Sequence, residues 1–322
     1  MTRSVLVVSL FALGLAACGD LMGENDDSAA SSGESSGQPA SERPDLEARG
    51  DASAESEGEI RDALEAAINS DLRSEAAKAR DKFRHPVETL LFFGVEPDDT
   101  VVEVWPGGGW YTDILAPFLA KGGGKLYAAS FDPDTDSERM QQALQNFDAK
   151  YVGKSDVYGN VERSVLAPNR QDIAPDGSAD VVLTFRNVHN FVFGNWAPEA
   201  FAAFYEALKP GGILGVVDHR LPEDADKARE QSSGYLKVST VRQLAEDAGF
   251  VFDGSSEVNA NPMDDTDHPF GVWTLPPTSR TTGRSGDAPE GFDPAEYLAI
   301  GESDRMTLRF RKPVEPEGAL LE

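Results

Sequence analysis

From residue 60 onward, hydrophobic and polar positions alternate between helical and strand periods. Ile60, Leu64, Ala67, Ile68 and Leu72 recur at helical spacing among good helix formers, so the pattern predicts a helix over 60–83. A short helix follows over 87–93, opened by Pro86. The β-branched run 100–104 predicts a first strand, 111–119 an amphipathic helix stopped by Gly122 to Gly124, and 125–130 a second strand. Residues 136–149 have helical character, and a strand is expected at 163–166 within a weakly patterned stretch. The nearly all-apolar run 179–185 is of the kind buried on both faces of a sheet. A helix over 196–208 then ends at Lys209-Pro-Gly-Gly212, and a strand over 212–217 leads into Asp218. A helix over 239–248 with a Ser/Thr cap precedes Gly249 and a strand at 250–252. Residues 259–302 carry little pattern and many Pro, Gly and Asp, which predicts a long ordered loop or partial lid. The alternating run 306–310 is the last strand. Strands alternating with helices call for an α/β fold, a mostly parallel sheet with helices on both faces.

The first 59 residues read differently. Arg3 precedes a thirteen-residue apolar stretch from Val5 to Ala17, too short to span a bilayer comfortably and suited to a signal-peptide core. It ends in Leu15-Ala16-Ala17-Cys18, which resembles the lipobox of bacterial lipoproteins. That resemblance implies removal of residues 1–17, acylation of the Cys18 thiol and attachment to a membrane through lipid. Gly19 in second place mildly favours, again by resemblance, the periplasmic face of an outer membrane. Cys18 is the only cysteine, so once it is acylated the chain has no thiol for a disulfide, nucleophile or thiolate metal site. Residues 19–59 hold 12 acidic against 2 basic side chains and no apolar period, so 18–59 is expected to be a disordered, self-repelling tether before a folded domain at 60–322. Over the whole chain 56 acidic residues face 29 basic ones, a formal net charge of −27, which disfavours nucleic acid and anionic headgroups as partners.

The candidate chemistry starts at Glu103-Val-Trp-Pro-Gly-Gly-Gly109, where a strand runs through a glycine turn into a helix. Such a turn lets a nucleotide-like ligand approach the backbone closely. Three further signatures follow in order: Asp172 in a loop, the strand from Ala179, and Leu208-Lys-Pro-Gly-Gly-Ile-Leu214. Together with Ala248-Gly-Phe250 they resemble the class I S-adenosylmethionine-dependent methyltransferases. The chain is most similar to a group of bacterial predicted methyltransferases, often exported. It shares with them Trp105-Pro-Gly-Gly-Gly-Trp-Tyr-Thr112, Phe185-Arg-Asn-Val-His-Asn190, Asp218-His-Arg220, Asp304-Arg305 and Leu308-Arg-Phe-Arg-Lys-Pro313. The resemblance covers roughly residues 79–313.

It implies a Rossmann-like seven-stranded sheet with an antiparallel last strand, and S-adenosylmethionine over the C-terminal ends of strands one and two. Carried over by position, Gly107, Gly108 and Gly109 would pass beneath the methionine and ribose. Glu103 would be the acid near the turn, or a carboxylate capping backbone N–H groups. Ser130 stands where the wider family has the ribose-binding acid, with Asp132 two residues on, and Asp172 matches the acid that meets the adenine amino group. Trp105 replaces the first glycine of the turn, and the sequence leaves open whether its indole covers the cofactor site, fills it or packs beneath the helix.

Methyl transfer depends chiefly on alignment of acceptor and sulfonium, with a base where the acceptor must lose a proton. Arg186, Asn187, His189 and Asn190 follow one strand, and Asp218, His219 and Arg220 end its neighbour. Two of the four histidines thus fall where one pocket could hold both, as base, with Arg186 or Arg220 on an anionic acceptor. The alternative is that they cap strand ends and pair with Asp218 or backbone. The two histidines, Asp218, and Asp264, Asp265, Asp267 and His268 lack HExxH-type spacing, so no metal site is expected. Arg80, Asp81, Arg84 and His85 read as an exposed helix end rather than part of a pocket. The expected activity is therefore methyl transfer to a small molecule or envelope component. A cytosolic cofactor and an exported domain are in tension, which keeps a non-catalytic ligand-binding or structural lipoprotein of the same fold as the alternative. A nicotinamide-dependent oxidoreductase is disfavoured by the Leu-Lys-Pro-Gly-Gly segment and the late strand.

Overall fold

The computed structural model describes residues 54–283 and 286–314. The signal peptide, Cys18 and the tether up to residue 53 lie outside the described residues. Seven strands form one sheet: β1 (Thr100–Val104), β2 (Lys125–Ser130), β3 (Asn160–Val165), β4 (Ala179–Phe185), β5 (Leu208–His219), β6 (Val251–Ser256) and β7 (Arg305–Arg311). Their order is β3-β2-β1-β4-β5-β7-β6. The first five pair in parallel, and β7 runs antiparallel between β5 and β6. This is the Rossmann-like sheet with an antiparallel last strand that the sequence led us to expect.

Two-residue alternation builds a core on each face of the sheet. Val101, Leu126, Ala128, Val181, Leu183, Ile213 and Val217 point to one side, beneath helices α1 (Ala54–Ile68), α4 (Pro86–Phe93), α5 (Thr112–Gly122), α6 (Glu138–Lys150) and α7 (Ser155–Tyr158). Val102, Val104, Ala129, Val182, Leu214 and Val216 point to the other, beneath α8 (Val188–Phe193), α9 (Ala197–Ala207) and α10 (Val238–Asp247). No helix among the described residues is long and apolar enough to cross a membrane.

The helix expected over 60–83 is three: α1, α2 (Glu75–Lys78) and α3 (Asp81–Arg84). Arg73 Nη1 donates to Ile68 O at 2.9 Å, closing α1, while the same guanidinium pairs with Asp81 at the start of α3. Ser74 caps α2 by accepting from Ala77 N. α1 also begins at Ala54, six residues before the expected domain start. Helix α10 lacks the predicted Ser/Thr cap, because Lys237 precedes it and the Ser239 hydroxyl is bonded to Glu223. Within 259–302 the chain forms a short strand outside the sheet (Pro269–Val272) and helix α11 (Pro294–Ile300).

The glycine turn has divided duties. Gly107 and Gly108 have open space where a side chain would stand, but a Cβ on Gly109 would meet Tyr151 Oη at 1.9 Å. Gly109 also sits at φ 82°, where L side chains are strained. Packing against Tyr151 is what requires glycine at this position. Gly109→Ala should therefore destabilise the fold by about 2–4 kcal/mol, whereas Gly108→Ala should stay within about 0.5 kcal/mol. Urea unfolding of both variants checks the pair, and equal losses would contradict it.

Candidate active site

In this strand order the direction of winding reverses between β1 and β4, the position where open α/β sheets form their ligand crevice. Both strands end alike. Trp105 N donates to Ala129 O and Arg186 N to Val217 O, each at 2.7 Å, and each residue then turns left-handed, at φ 45° and 62°. Positive φ at bulky residues is uncommon and tends to cluster at functional sites. Asn187 Nδ2 reaches back to Val104 O at 2.9 Å and ties the two strand ends together.

Above this junction lies a cleft of about 420 Å³, lined by Glu103, Trp105, Gly107, Gly108, Trp110, Tyr111, Asp113, Arg186 and Asn187, with Arg80 and Arg84 from the N-terminal side. Tyr111 stacks on Phe185 at 3.6 Å and 9°, giving the cleft a rigid aromatic floor. Trp110 donates its indole N–H to Ala77 O and carries Arg84 over its ring at 4.5 Å, so α2 and α3 become part of the wall.

Glu103 is 2 % exposed and accepts from Thr112 Oγ1 at 2.6 Å. Its partner is thus the Thr112 hydroxyl rather than the backbone N–H groups that the capping alternative implies. Burial raises its carboxyl to about 8, the Thr112 bond opposes the shift, and the Asp113 charge adds to it. Asp113 itself is held by Lys150 Nζ at 2.8 Å and Tyr151 Oη at 2.9 Å.

The N-terminal arginines are not the exposed helix end expected from sequence. Arg84 is buried, and Arg80, Arg84 and Arg305 converge on the single carboxylate of Glu302. Burial brings Arg84 down to about 10, with Arg186 adding repulsion and Glu302 opposing. Burial alone would raise Glu302, but the surrounding guanidiniums outweigh it and hold the group below its ordinary range. Arg80 Nη2 and Arg84 Nη2 are buried without a partner among the described residues. Sequence reasoning missed Glu302 because two of its three partners, Arg80 and Arg84, lie some 220 residues away, and its own stretch has no local pattern.

A second cavity, about 220 Å³, adjoins the ends of β4 and β5 and is lined by Arg186, His189, Asn190, His219, Trp273, Pro276 and Pro277. The two histidines expected to share a pocket do so, with ring centroids 5.2 Å apart. Asp218 accepts from His189 Nδ1 at 2.9 Å, and His219 Nδ1 lies 2.6 Å from Ser303 Oγ. A carboxylate can only accept, so the hydrogen of this bond sits on His189 Nδ1 and the neutral tautomer has its lone pair on Nε2. Burial holds His219 well below its ordinary range, reinforced by His189 and by Arg186, Arg305 and Arg84. Arg186 lines both spaces.

The remaining predicted residues lie elsewhere. Arg220 is bonded to Asp304 and Glu257 and lines neither cavity, so its charge is already matched. Ser130 is buried, its carbonyl accepting from Leu166 N. Asp132 and Asp172 both pair with Arg170, the Asp172 side chain being 71 % exposed, and neither reaches the cleft. The Trp105 indole explains the separation. It donates to Leu166 O at 2.9 Å and packs against Phe131, Phe191 and Trp196, filling the space between the glycine turn and the β2–β3 side. Ser130, Asp132 and Asp172 therefore do not line the cleft above the turn.

No protein-family model matches the chain, and no curated protein does. Solved structures that resemble it include several methyltransferases by name. A SAM-dependent methyltransferase of Methanosarcina mazei shows 12% identity and a TM-score of 0.43, covering 70% of this chain and 98% of that one. An arsenic(III) S-adenosylmethionine methyltransferase of Chlamydomonas reinhardtii shows 14% and 0.42 over 70% and 66% of the two chains. A TehB-like SAM-dependent methyltransferase of Corynebacterium glutamicum shows 12% and 0.40 over 69% and 85%. At this distance such likenesses assign no activity, and the functional reading rests on the cleft itself.

The raised Glu103 value has a direct consequence. The folded chain binds this proton more tightly than the unfolded chain, so the stability it contributes is full below about pH 4.5 and is lost as pH rises through about 8. Thermal melts should show wild type losing stability relative to Glu103→Gln across that window. Parallel pH profiles would contradict the assignment.

Proposed function

We propose that the protein is an S-adenosylmethionine-dependent methyltransferase, with the cofactor in the 420 Å³ cleft and the acceptor in the adjoining cavity. One observation carries the reading: the glycine turn opens onto a cleft at the point where strand order reverses, directly above a buried carboxyl. The residues present fit the amino-acid end of that cofactor. Gly107 and Gly108 leave the backbone open to close approach, Glu103 can ionise against an ammonium, and the Arg80 and Arg84 donors suit a carboxylate. For the adenine, the cleft offers the indoles of Trp105 and Trp110 in place of the acids at 132 and 172.

When bound, the cofactor supplies an activated methyl group. This chain's residues align the acceptor and receive its proton. Arg186 stands where the two spaces meet, and His189, oriented by Asp218, presents Nε2 as the base. His219, held neutral, completes the same wall. Export and lipid attachment through Cys18 belong to this proposal, with a small molecule or envelope component as acceptor.

Calorimetric titration with S-adenosylmethionine tests the reading: saturable heat is expected, and none at millimolar ligand would refute it. His189→Ala should lower turnover by about 10²–10⁴-fold with cofactor affinity nearly intact. Unchanged turnover in both His189→Ala and His219→Ala would remove the histidines from the chemistry. Cys18→Ser should move the protein from the membrane to the soluble fraction, and continued membrane retention would contradict lipid attachment.

A further inference from the structure

His189, Asp218 and His219 offer three ligand atoms within 4.8 Å of one another, the spacing of a metal site. The charges point the other way. Asp218 is 0 % exposed and its oxygens are already engaged: Oδ1 accepts from His189 Nδ1 and His219 N, and Oδ2 from His189 N. That leaves two imidazoles, short of the three protein ligands that a catalytic zinc site takes. Arg186 lines the same cavity, and Arg305 and Arg84 act on His219 from behind. Glu302 is shared among Arg80, Arg84 and Arg305. The second cluster of this kind, Asp264, Asp265 and His268, is also spoken for, because Asp264 accepts from Tyr235 Oη, Thr266 N and Asp304 N and bonds His268 Nε2.

The Arg186 guanidinium forms no hydrogen bond or ion pair among the described residues. Burial lowers it to about 10, so it stays charged at neutral pH. The side chain is half-buried rather than sealed off, so a ligand can reach it, and its backbone is left-handed at the end of β4. The opposite wall is apolar, formed by Trp273, Pro276 and Pro277. At about 220 Å³ the space is smaller than a pocket for a drug-sized ligand.

We propose that this cavity binds a compact carboxylic acid, its carboxylate on Arg186 and its planar or hydrocarbon body against Trp273 and the two prolines. Naming that acid as the methyl acceptor rests on the function proposed above; its binding does not. Benzoate is the probe, titrated calorimetrically into the full chain without cofactor, with benzamide as the uncharged counterpart and Zn²⁺ as the competing occupant. Benzoate should bind saturably and benzamide much more weakly. Arg186→Gln should weaken benzoate roughly 10- to 100-fold, and Arg186→Lys should retain part of the affinity. Equal affinity for acid and amide in the wild type overturns the proposal even if the variants fail to fold. So does one Zn²⁺ per chain, lost in His189→Ala, with no benzoate heat. Benzoate binding without S-adenosylmethionine binding would leave this site standing and remove the methyltransferase reading. The reverse result would do the opposite.

Discussion

The structure depends on how two neighbouring parallel strands end. β1 and β4 each continue one hydrogen bond past the sheet, to Ala129 O and Val217 O, before turning left-handed at Trp105 and Arg186. Because the helices after these strands depart to opposite faces, the turns diverge and leave a space between them. The Asn187–Val104 bond keeps that space at fixed width. One turn sends an indole toward β2 and β3, where it closes one half of the crevice. The other sends a guanidinium between two cavities, where it has no partner among the described residues. The site follows from this asymmetry.

Charge sharpens the picture. A chain with net charge −27 places Arg80, Arg84 and Arg186 on its cleft, and Arg80 and Arg84 share one carboxylate, Glu302, with Arg305. The same region keeps Glu103 partly protonated and His219 neutral. Burial drives both shifts, since it penalises whichever form carries charge. The result is a pair of compartments biased toward anionic groups, with a carboxyl poised to ionise against a cationic one.

The sequence told most about what depends on local period. The strand at 179–185 reads as buried on both faces because nearly every residue is apolar, and the glycine turn marks the first crossover. Histidines at adjacent strand ends predicted a shared pocket because parallel neighbours place their C-termini side by side. What failed to show depends on partners distant in sequence. Arg84 looks like an exposed helix end until Trp110 and Glu302 fold over it. Arg220 looks like a free cation until Asp304 and Glu257 take it. Asp172 matches a motif by position, yet Arg170 two residues away holds it at the surface. The break at residues 69–74 depends on an Arg73 side chain that bonds backward to Ile68 and forward to Asp81.

Trp105 is the residue on which the account turns, because it separates the glycine turn from the positions that would hold a ribose and adenine. A crystal structure of the protein with S-adenosylhomocysteine tests this most directly. The amino-acid end should lie over Gly107 and Gly108 beside Glu103, with adenine against an indole of the cleft and Asp132 and Asp172 still on Arg170. Density on the Asp172 side of Trp105, with the indole displaced and Glu103 uncontacted, would contradict it.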